Sequence, residues 1–418
     1  MSAMFISGND REGMLSLNGI MFRRVAFLWA LVLASSLLAP AAVVDPKQVY
    51  DRSTNAMYNL DFNIARQGYE TLTREHPEDP VYWNALASSI WLKITFDQQK
   101  LNLESFSGKT TFGTDESRDE VDPSDEKKLR DTVNIAIQKA DALIKKNAKD
   151  VHARYEKGVA YATLASFEGT VKRSYVSALG NSKIAKSIDQ DVLKQDPNFD
   201  DARTSVGTYD YVIAALPGIV RLGLSIYGLS TAGKESGIQQ LETAAAKGKN
   251  TSTEAKMILA IIYSRERRYD DALRMMTQLH GTYPRNFLFE MSEASTYSKM
   301  KRYSDARNVY QQVLLKIQSK KDGYERVRTE KVYYLLGIDD IHLEQFDKAI
   351  DDFSRVTAGK NATPDEKASS HLWIGKIFDS KRDRNHAVEQ YDAAVALDCN
   401  AKLKAEALEY KRRPYGDR

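Results

Sequence analysis

Four stretches of the sequence repeat one pattern: YDDALRMMTQL (269–279), YSDARNVYQQV (303–313), FDKAIDDFSRV (346–356) and RNHAVEQYDAA (384–394). In each stretch an alanine stands three residues after the first position, and a bulky residue follows four residues later. Side chains at spacings of three and four lie on one face of an α-helix. The repetition therefore predicts a tandem array of amphipathic helices.

A further helix pattern precedes each stretch and completes the repeating unit. It places a small residue about one turn before an aromatic position in Leu259-Ala260-x2-Tyr263, Ala294-x2-Tyr297 and Ile374-Gly375-x2-Phe378, and Leu336-Gly337 occupies the same place in its unit. Small residues are expected where two helices cross, because a longer side chain would hold the axes apart. The unit is thus a helix, a turn and a second helix, with Ala272, Ala306, Ala349 and Ala387 at the crossings.

This unit resembles the tetratricopeptide repeat family, whose 34-residue repeat is a helical hairpin. The step from Ala272 to Ala306 is 34 residues, and the next two steps, to Ala349 and Ala387, are 43 and 38. The extra residues predict longer connections at 319–325 and 359–366. The resemblance implies an all-α solenoid of antiparallel helix pairs, the tetratricopeptide superhelix, with about seven repeats.

The same frame extends upstream with lower fidelity. Phe62-x2-Ala65-x3-Tyr69-x2-Leu72 matches a second helix, and Trp83-x2-Leu86-Ala87 opens the following unit. We therefore predict an irregular repeat region at 46–250 with insertions at 105–126 and 209–233, a regular array at 253–400, and a capping helix and tail at 401–418. The segment 209–233, with Leu216-Pro217-Gly218, more distantly resembles the tetratricopeptide repeat protein 39 family, which implies an adaptor role without catalytic residues.

The N-terminus has the order of a secretory signal. Arg23 and Arg24 precede an apolar run from Val25 to Leu38, and a small-x-small site follows that predicts cleavage after Ala41. The predicted signal is 21–41, and 1–20 is expected to be an extension upstream of the true start. The chain is accordingly expected to be exported and to be periplasmic or secreted.

Charge and reactive residues exclude several functions. The net charge of +3 comes from 60 basic and 57 acidic residues, a balance that disfavours nucleic-acid binding. Cys399 is the sole cysteine and the six histidines are dispersed, so no metal site, cofactor or nucleophilic chemistry is predicted. Gly228–Lys234 mimics a phosphate-binding loop, but Glu235 stands where a hydroxyl is needed, which excludes a nucleotide.

The leading hypothesis is a non-enzymatic scaffold or adaptor of the cell envelope that binds a partner protein or peptide in a concave groove. First-helix positions that point away from the second helix would line it: Met257, Ile261, Met291, Ser295, Tyr334, Ile338, Leu372 and Lys376. The alternative is a peripheral membrane or lipid-associated component that uses segment 209–233 and a ridge of basic turn residues. The acidic stretch 105–126 is predicted to be an exposed loop; a calcium site is the alternative, but the glycine that an EF-hand loop requires at its sixth position is missing.

Overall fold

The computed structural model describes residues 45–98, 101, 121–218, 220–221 and 230–416. These residues form seventeen α-helices and one 3₁₀ turn at Asp200–Ala202. The helices are α1 (Pro46–Tyr58), α2 (Phe62–Glu75), α3 (Pro80–Asp97), α4 (Pro123–Lys146), α5 (Val151–Thr170), α6 (Tyr175–Gln195), α7 (Arg203–Ala215), α8 (Lys234–Lys247), α9 (Ser252–Arg265), α10 (Tyr269–Thr282), α11 (Phe287–Lys299), α12 (Tyr303–Gln318), α13 (Thr329–His342), α14 (Phe346–Ala358), α15 (Pro364–Ser380), α16 (Arg384–Ala396) and α17 (Ala401–Arg412). The predicted extension at 1–20 and signal at 21–41 lie outside the described residues.

Each helix from α2 onward packs against the next one in the chain. The rings of Tyr50 and Tyr69, 5.9 Å apart, join α1 to α2. The described residues thus make eight antiparallel pairs, from α1–α2 to α15–α16, followed by α17. The predicted all-α fold of helix pairs is confirmed, with eight pairs where the sequence indicated about seven.

The small residues lie where the sequence placed them, at the helix crossings. The four repeat alanines are fully buried. On the first helices, a Cβ added to Gly337 would approach the ring of Phe353 to 2.8 Å, and one added to Gly375 would approach the ring of Tyr391 to 2.5 Å. Both distances are shorter than van der Waals contact, so the two glycines set the spacing of their helix pairs.

Five hairpins share one three-residue turn between their helices. In each, the middle residue has a positive φ: Leu60, Arg267, Lys301, Glu344 and Arg382. The backbone N–H of the following residue donates to a carbonyl near the end of the first helix, as in Arg268 N to Tyr263 O at 2.8 Å. This bond satisfies a carbonyl that the helix itself leaves without a partner, and the shared geometry confirms that these hairpins are equivalent.

One predicted connection is shorter than the sequence indicated. The connection between α12 and α13 spans 319–328, as the 43-residue step requires. The predicted connection at 359–366 is only 359–363, because the hydroxyl of Thr363 and the carboxylate of Glu366 form a capping box that starts α15 at Pro364. The extra residues of that repeat lengthen the helix instead.

The irregular half contains regular helices at both predicted insertions. Residues 209–215 belong to α7, and 123–126 begin α4 behind the N-cap of Asp122. The helices α7 and α8 cross at two glycines: a Cβ added to Gly207 would lie 2.7 Å from the carbonyl oxygen of Gly237. Within the two insertions, 105–120, 219 and 222–229 lie outside the described residues.

Candidate functional site

The eight residues predicted to line a groove lie on the first helices of four consecutive pairs. They are Met257 and Ile261 on α9, Met291 and Ser295 on α11, Tyr334 and Ile338 on α13, and Leu372 and Lys376 on α15. Their role in binding stays a prediction. Their surroundings differ from one end of the array to the other.

At the C-terminal end, α17 covers the predicted positions. Leu372 is 3% exposed and shares an apolar cluster with Ala407 of α17. The ammonium group of Lys376 pairs with the carboxylate of Glu406 at 2.8 Å and lies 4.4 Å from the ring of Trp373. Both predicted residues therefore contribute to the packing of the last helix.

At the other end, the predicted positions on α9 and the end of α1 pack against the same cluster. Met257 and Ile261 pack against a cluster built around Met276 and Tyr283. Tyr58, at the end of α1, packs against the same cluster. The first hairpin therefore shares this surface with the predicted groove residues.

Between these two ends, α11 and α13 present partly exposed apolar residues. Met291, Tyr334 and Ile338 are partly buried, whereas Ser295 is 6% exposed. The ring of Tyr334 is positioned by an edge contact with Phe353 and by a 2.9 Å hydrogen bond between its hydroxyl and Ser369. A positioned aromatic ring beside accessible aliphatic side chains can bind an apolar side chain with little loss of conformational entropy.

A buried carboxylate next to this surface was missed by the sequence analysis. Asp340 stands four residues before the positive-φ residue of its turn, where the other units have Tyr263, Tyr297 and Phe378. Asp340 is fully buried, and its Oδ1 accepts a 2.5 Å hydrogen bond from Nε of Arg307 on α12. The absence of an aromatic residue after Leu336-Gly337 was the available signal.

Two neighbouring carboxyl groups have raised pKa values, which favour their neutral forms. Burial raises the pKa of Asp339 to about 7, against the hydrogen bond that it accepts from Ser298. Burial, followed by the charge of Asp340, raises the pKa of Asp352 to about 7, and Arg307 acts in the opposite direction. The third regular hairpin, α13–α14, thus holds two carboxyl groups that titrate near neutral pH.

The basic turn residues are only partly available to a partner. Those at the positive-φ positions of three hairpins are exposed: Arg267, Lys301 and Arg382. Arg384, by contrast, donates two hydrogen bonds to Asp379 and two to main-chain carbonyls of α17. The predicted ridge is therefore reduced to spaced single charges.

Within the described ranges, no three His, Cys, Asp or Glu side chains are grouped so that they could hold a metal ion. A search of the same ranges finds no helix with the length and apolar character that crossing a membrane requires. The side chains that this part of the chain brings together make packed helix pairs and buried ion pairs. Their arrangement is that of a structural repeat.

The fold defines a class, the all-α proteins built from tandem antiparallel helical hairpins. No protein-family model matches the sequence, and no curated protein matches it. Among solved structures, yeast Tom70 is similar at 12% identity and a TM-score of 0.35, covering 95% of this chain and 94% of that one. The human IFIT1 dimer with m7Gppp-AAAA is similar at 12% identity and a TM-score of 0.39, and the match covers 88% of this chain and 86% of that one.

A bacterial structure is also similar. The thermophilic tetratricopeptide repeat protein TTC0263 of Thermus thermophilus has 15% identity and a TM-score of 0.33, covering 60% of this chain and 98% of that one. At these identities the likeness is one of general fold. It says nothing of what this chain binds.

Proposed function

We propose that this protein is a non-enzymatic scaffold of the cell envelope, and that the face formed by α11 and α13 binds a segment of a partner protein. The observation that carries this proposal is the set of partly exposed apolar residues Met291, Tyr334 and Ile338 on adjacent first helices. Stacked hairpins hold such residues at fixed spacing, which suits the recognition of an extended or helical peptide.

Electrostatics at this face supports selection of the partner by shape and apolar contact. The nearby carboxylates are largely engaged: Asp340 pairs with Arg307, and Glu290 accepts a 2.7 Å hydrogen bond from Lys316. Charges that are satisfied within the protein contribute little to a partner's affinity. The apolar side chains are then the main source of binding free energy.

Site-specific photocrosslinking tests the proposal. A photoreactive phenylalanine analogue at Met291 or at Tyr334 should crosslink the same protein in envelope extracts. Leu315 on the second helix α12 is 54% exposed and provides a control position of similar apolar character. Crosslinks of equal yield from Leu315, or no crosslink from either first-helix position, would contradict binding at this face.

Location in the envelope rests on the predicted signal at 21–41. Expression of the full chain should give a product that begins at Ala42 and is released with the periplasmic or secreted fraction. Recovery of the product in the cytoplasm with residues 1–41 intact would contradict the envelope location and leave the proposed binding role unaffected.

Membrane association is the alternative, and the exposed Arg267, Lys301 and Arg382 at equivalent turn positions favour it. Single exposed charges attract an anionic surface weakly, and salt screens that attraction. Flotation with vesicles of phosphatidylglycerol should then occur at low salt and be lost at high salt. A chain that stays unbound at low salt would remove this alternative.

A further inference from the structure

The first hairpin turn differs from its four equivalents in one respect. Arg267, Lys301, Glu344 and Arg382 occupy the positive-φ position with exposed, charged side chains. Leu60 occupies it with an apolar side chain that is 3% exposed. A leucine in this conformation is unusual, so its burial must have a specific cause.

The turn that holds Leu60 makes a contact with residues that lie far later in the chain. Asn286 donates from Nδ2 to the carbonyl oxygen of Tyr58 at 2.8 Å, and Arg326 donates from Nη1 to that of Leu60 at 2.5 Å. The main-chain N–H of Arg285 donates to Oδ1 of Asn59 at 3.1 Å. Three hydrogen bonds thus recognise the C-terminal end of α1.

Side chains extend the same contact. The ring of Tyr58 lies 5.1 Å from the ring of Tyr283 and packs into the cluster that also receives Met257 and Ile261. The guanidinium group of Arg285 pairs with the carboxylate of Asp61. The turn therefore places an aromatic ring in an apolar cluster. Its helix-end carbonyls accept hydrogen bonds from an amide and a guanidinium group, and its carboxylate pairs with an arginine.

We propose that the turn Tyr58–Asp61 is an internal occupant of a second binding surface, formed by α9 and the connections at 283–286 and 324–328. The partner that takes this surface presents the same chemistry: a helix C-terminus with an aromatic residue, free carbonyls and a following carboxylate. Such a partner must displace the chain's own turn, which packs against the cluster that Met257 and Ile261 also contact. This inference rests on the proposed protein-binding function and adds its regulation.

Leu60→Arg is the variant that opens the contact. Arg267 and Arg382 show that the turn's backbone accepts arginine at this position, whereas a buried guanidinium beside Arg326 is unfavourable. The matched control is Arg267→Leu, which makes the reverse change in an exposed turn. Asn286→Asp is a second opening variant, because it keeps the Oδ1 that caps α11 through Leu288 N and removes the donor to Tyr58.

The experiment measures two quantities on the full chain. The first is amide hydrogen exchange in residues 50–61, and the second is fluorescence anisotropy of a labelled peptide of residues 50–75. We expect Leu60→Arg to speed exchange in 50–61 and to bind the peptide at least about tenfold more tightly than the parent, because an occupied surface lowers apparent affinity by its open fraction. A peptide that itself carries Leu60→Arg should not bind.

Two results would overturn the inference. Unchanged exchange of 50–61 in both opening variants would mean that the turn is not held by these contacts. Faster exchange without peptide binding would mean that the vacated surface recognises nothing. Neither measurement involves the outside partner, so failure here is distinguishable from failure of the crosslinking at Met291 and Tyr334.

Discussion

The carboxyl group of Asp352 is expected to make the stability of the third regular hairpin depend on pH. The charge of the neighbouring Asp340 acts on it, and the buried Oδ2 of Asp340 has no hydrogen-bond partner in the described part of the chain. A protonated Asp352 can donate to that oxygen, whereas an ionised one would place two negative charges together. Asp352→Asn replaces the acid with a donor that keeps its proton at every pH.

The size of the effect follows from the pKa difference. Burial and Asp340 raise the pKa of Asp352 from 3.8 to about 7. The folded state then binds more protons than the unfolded state between these values, so stability is fully present below pH 3.8 and is lost as pH rises toward 7. The full difference corresponds to about 4 kcal/mol at ~1.4 kcal/mol per factor of ten, and solvent screening at this partly exposed group reduces it to about 2 kcal/mol.

Urea unfolding followed by circular dichroism, near pH 5 and near pH 8, measures this effect. From pH 5 to pH 8, the free energy of unfolding of Asp352→Asn should rise by about 1–2 kcal/mol relative to that of the parent, because most of the parent's loss of stability occurs between these pH values. Asp351→Asn makes the same change at the exposed neighbouring position and should show the pH dependence of the parent. Equal pH dependence in all three proteins would refute the shared proton.

Three further changes test the packing, capping and charge arguments. Gly375→Ala should cost about 1–3 kcal/mol, because its Cβ would lie 2.5 Å from a ring atom, whereas Gly180→Ala, with open space around it, should gain about 0.5–1 kcal/mol; thermal unfolding distinguishes them. Thr363→Ala should cost about 1 kcal/mol through loss of the capping box, and Thr363→Ser should retain most of it in the same assay. Arg307→Ala should cost about 3 kcal/mol in urea, since it leaves Asp340 buried and unpaired, and adding Asp340→Asn should recover part; a single variant as stable as the parent would contradict this.

The hairpins were predictable because their signals are local. The predicted second helices begin where the structure begins them, at Tyr269, Tyr303, Phe346 and Arg384. Each begins there because the preceding turn closes on a backbone hydrogen bond between residues close in sequence, such as Arg302 N to Tyr297 O. A single sequence contains all the information that such a turn requires.

The contact of Tyr58–Asp61 with 283–326 was not predictable in the same way. It joins segments that no periodicity relates, and its energy comes from hydrogen bonds to main-chain groups, which every residue carries. Leu60 alone gave a signal, as an apolar residue where equivalent turns carry charge. That comparison needed the turn geometry of all five hairpins.

The same reasoning explains why Asp340 was overlooked. A repeat template records what a position usually holds, and the third unit departs from it at three nearby places: Asp340 replaces an aromatic residue, Glu344 replaces a basic one, and the connection 319–328 is lengthened. The template treats these as poor matches. In the structure one of them has a defined partner, because Arg307 reaches Asp340 from the preceding pair.

One of these departures, Asp340, lies on α13, one of the two helices of the face that we propose for binding. The first hairpin packs at one end of the predicted positions and α17 covers the other, and Met291, Tyr334 and Ile338 lie between them with partly exposed side chains. Residues that only maintain a repeat should follow its pattern, because every unit has the same packing to satisfy. Departures in the third regular unit therefore indicate a requirement that the other units do not share. Under the proposed function, recognition of one particular partner would be that requirement, with specificity in the third regular hairpin, within the half of the chain where the repeats are otherwise most regular.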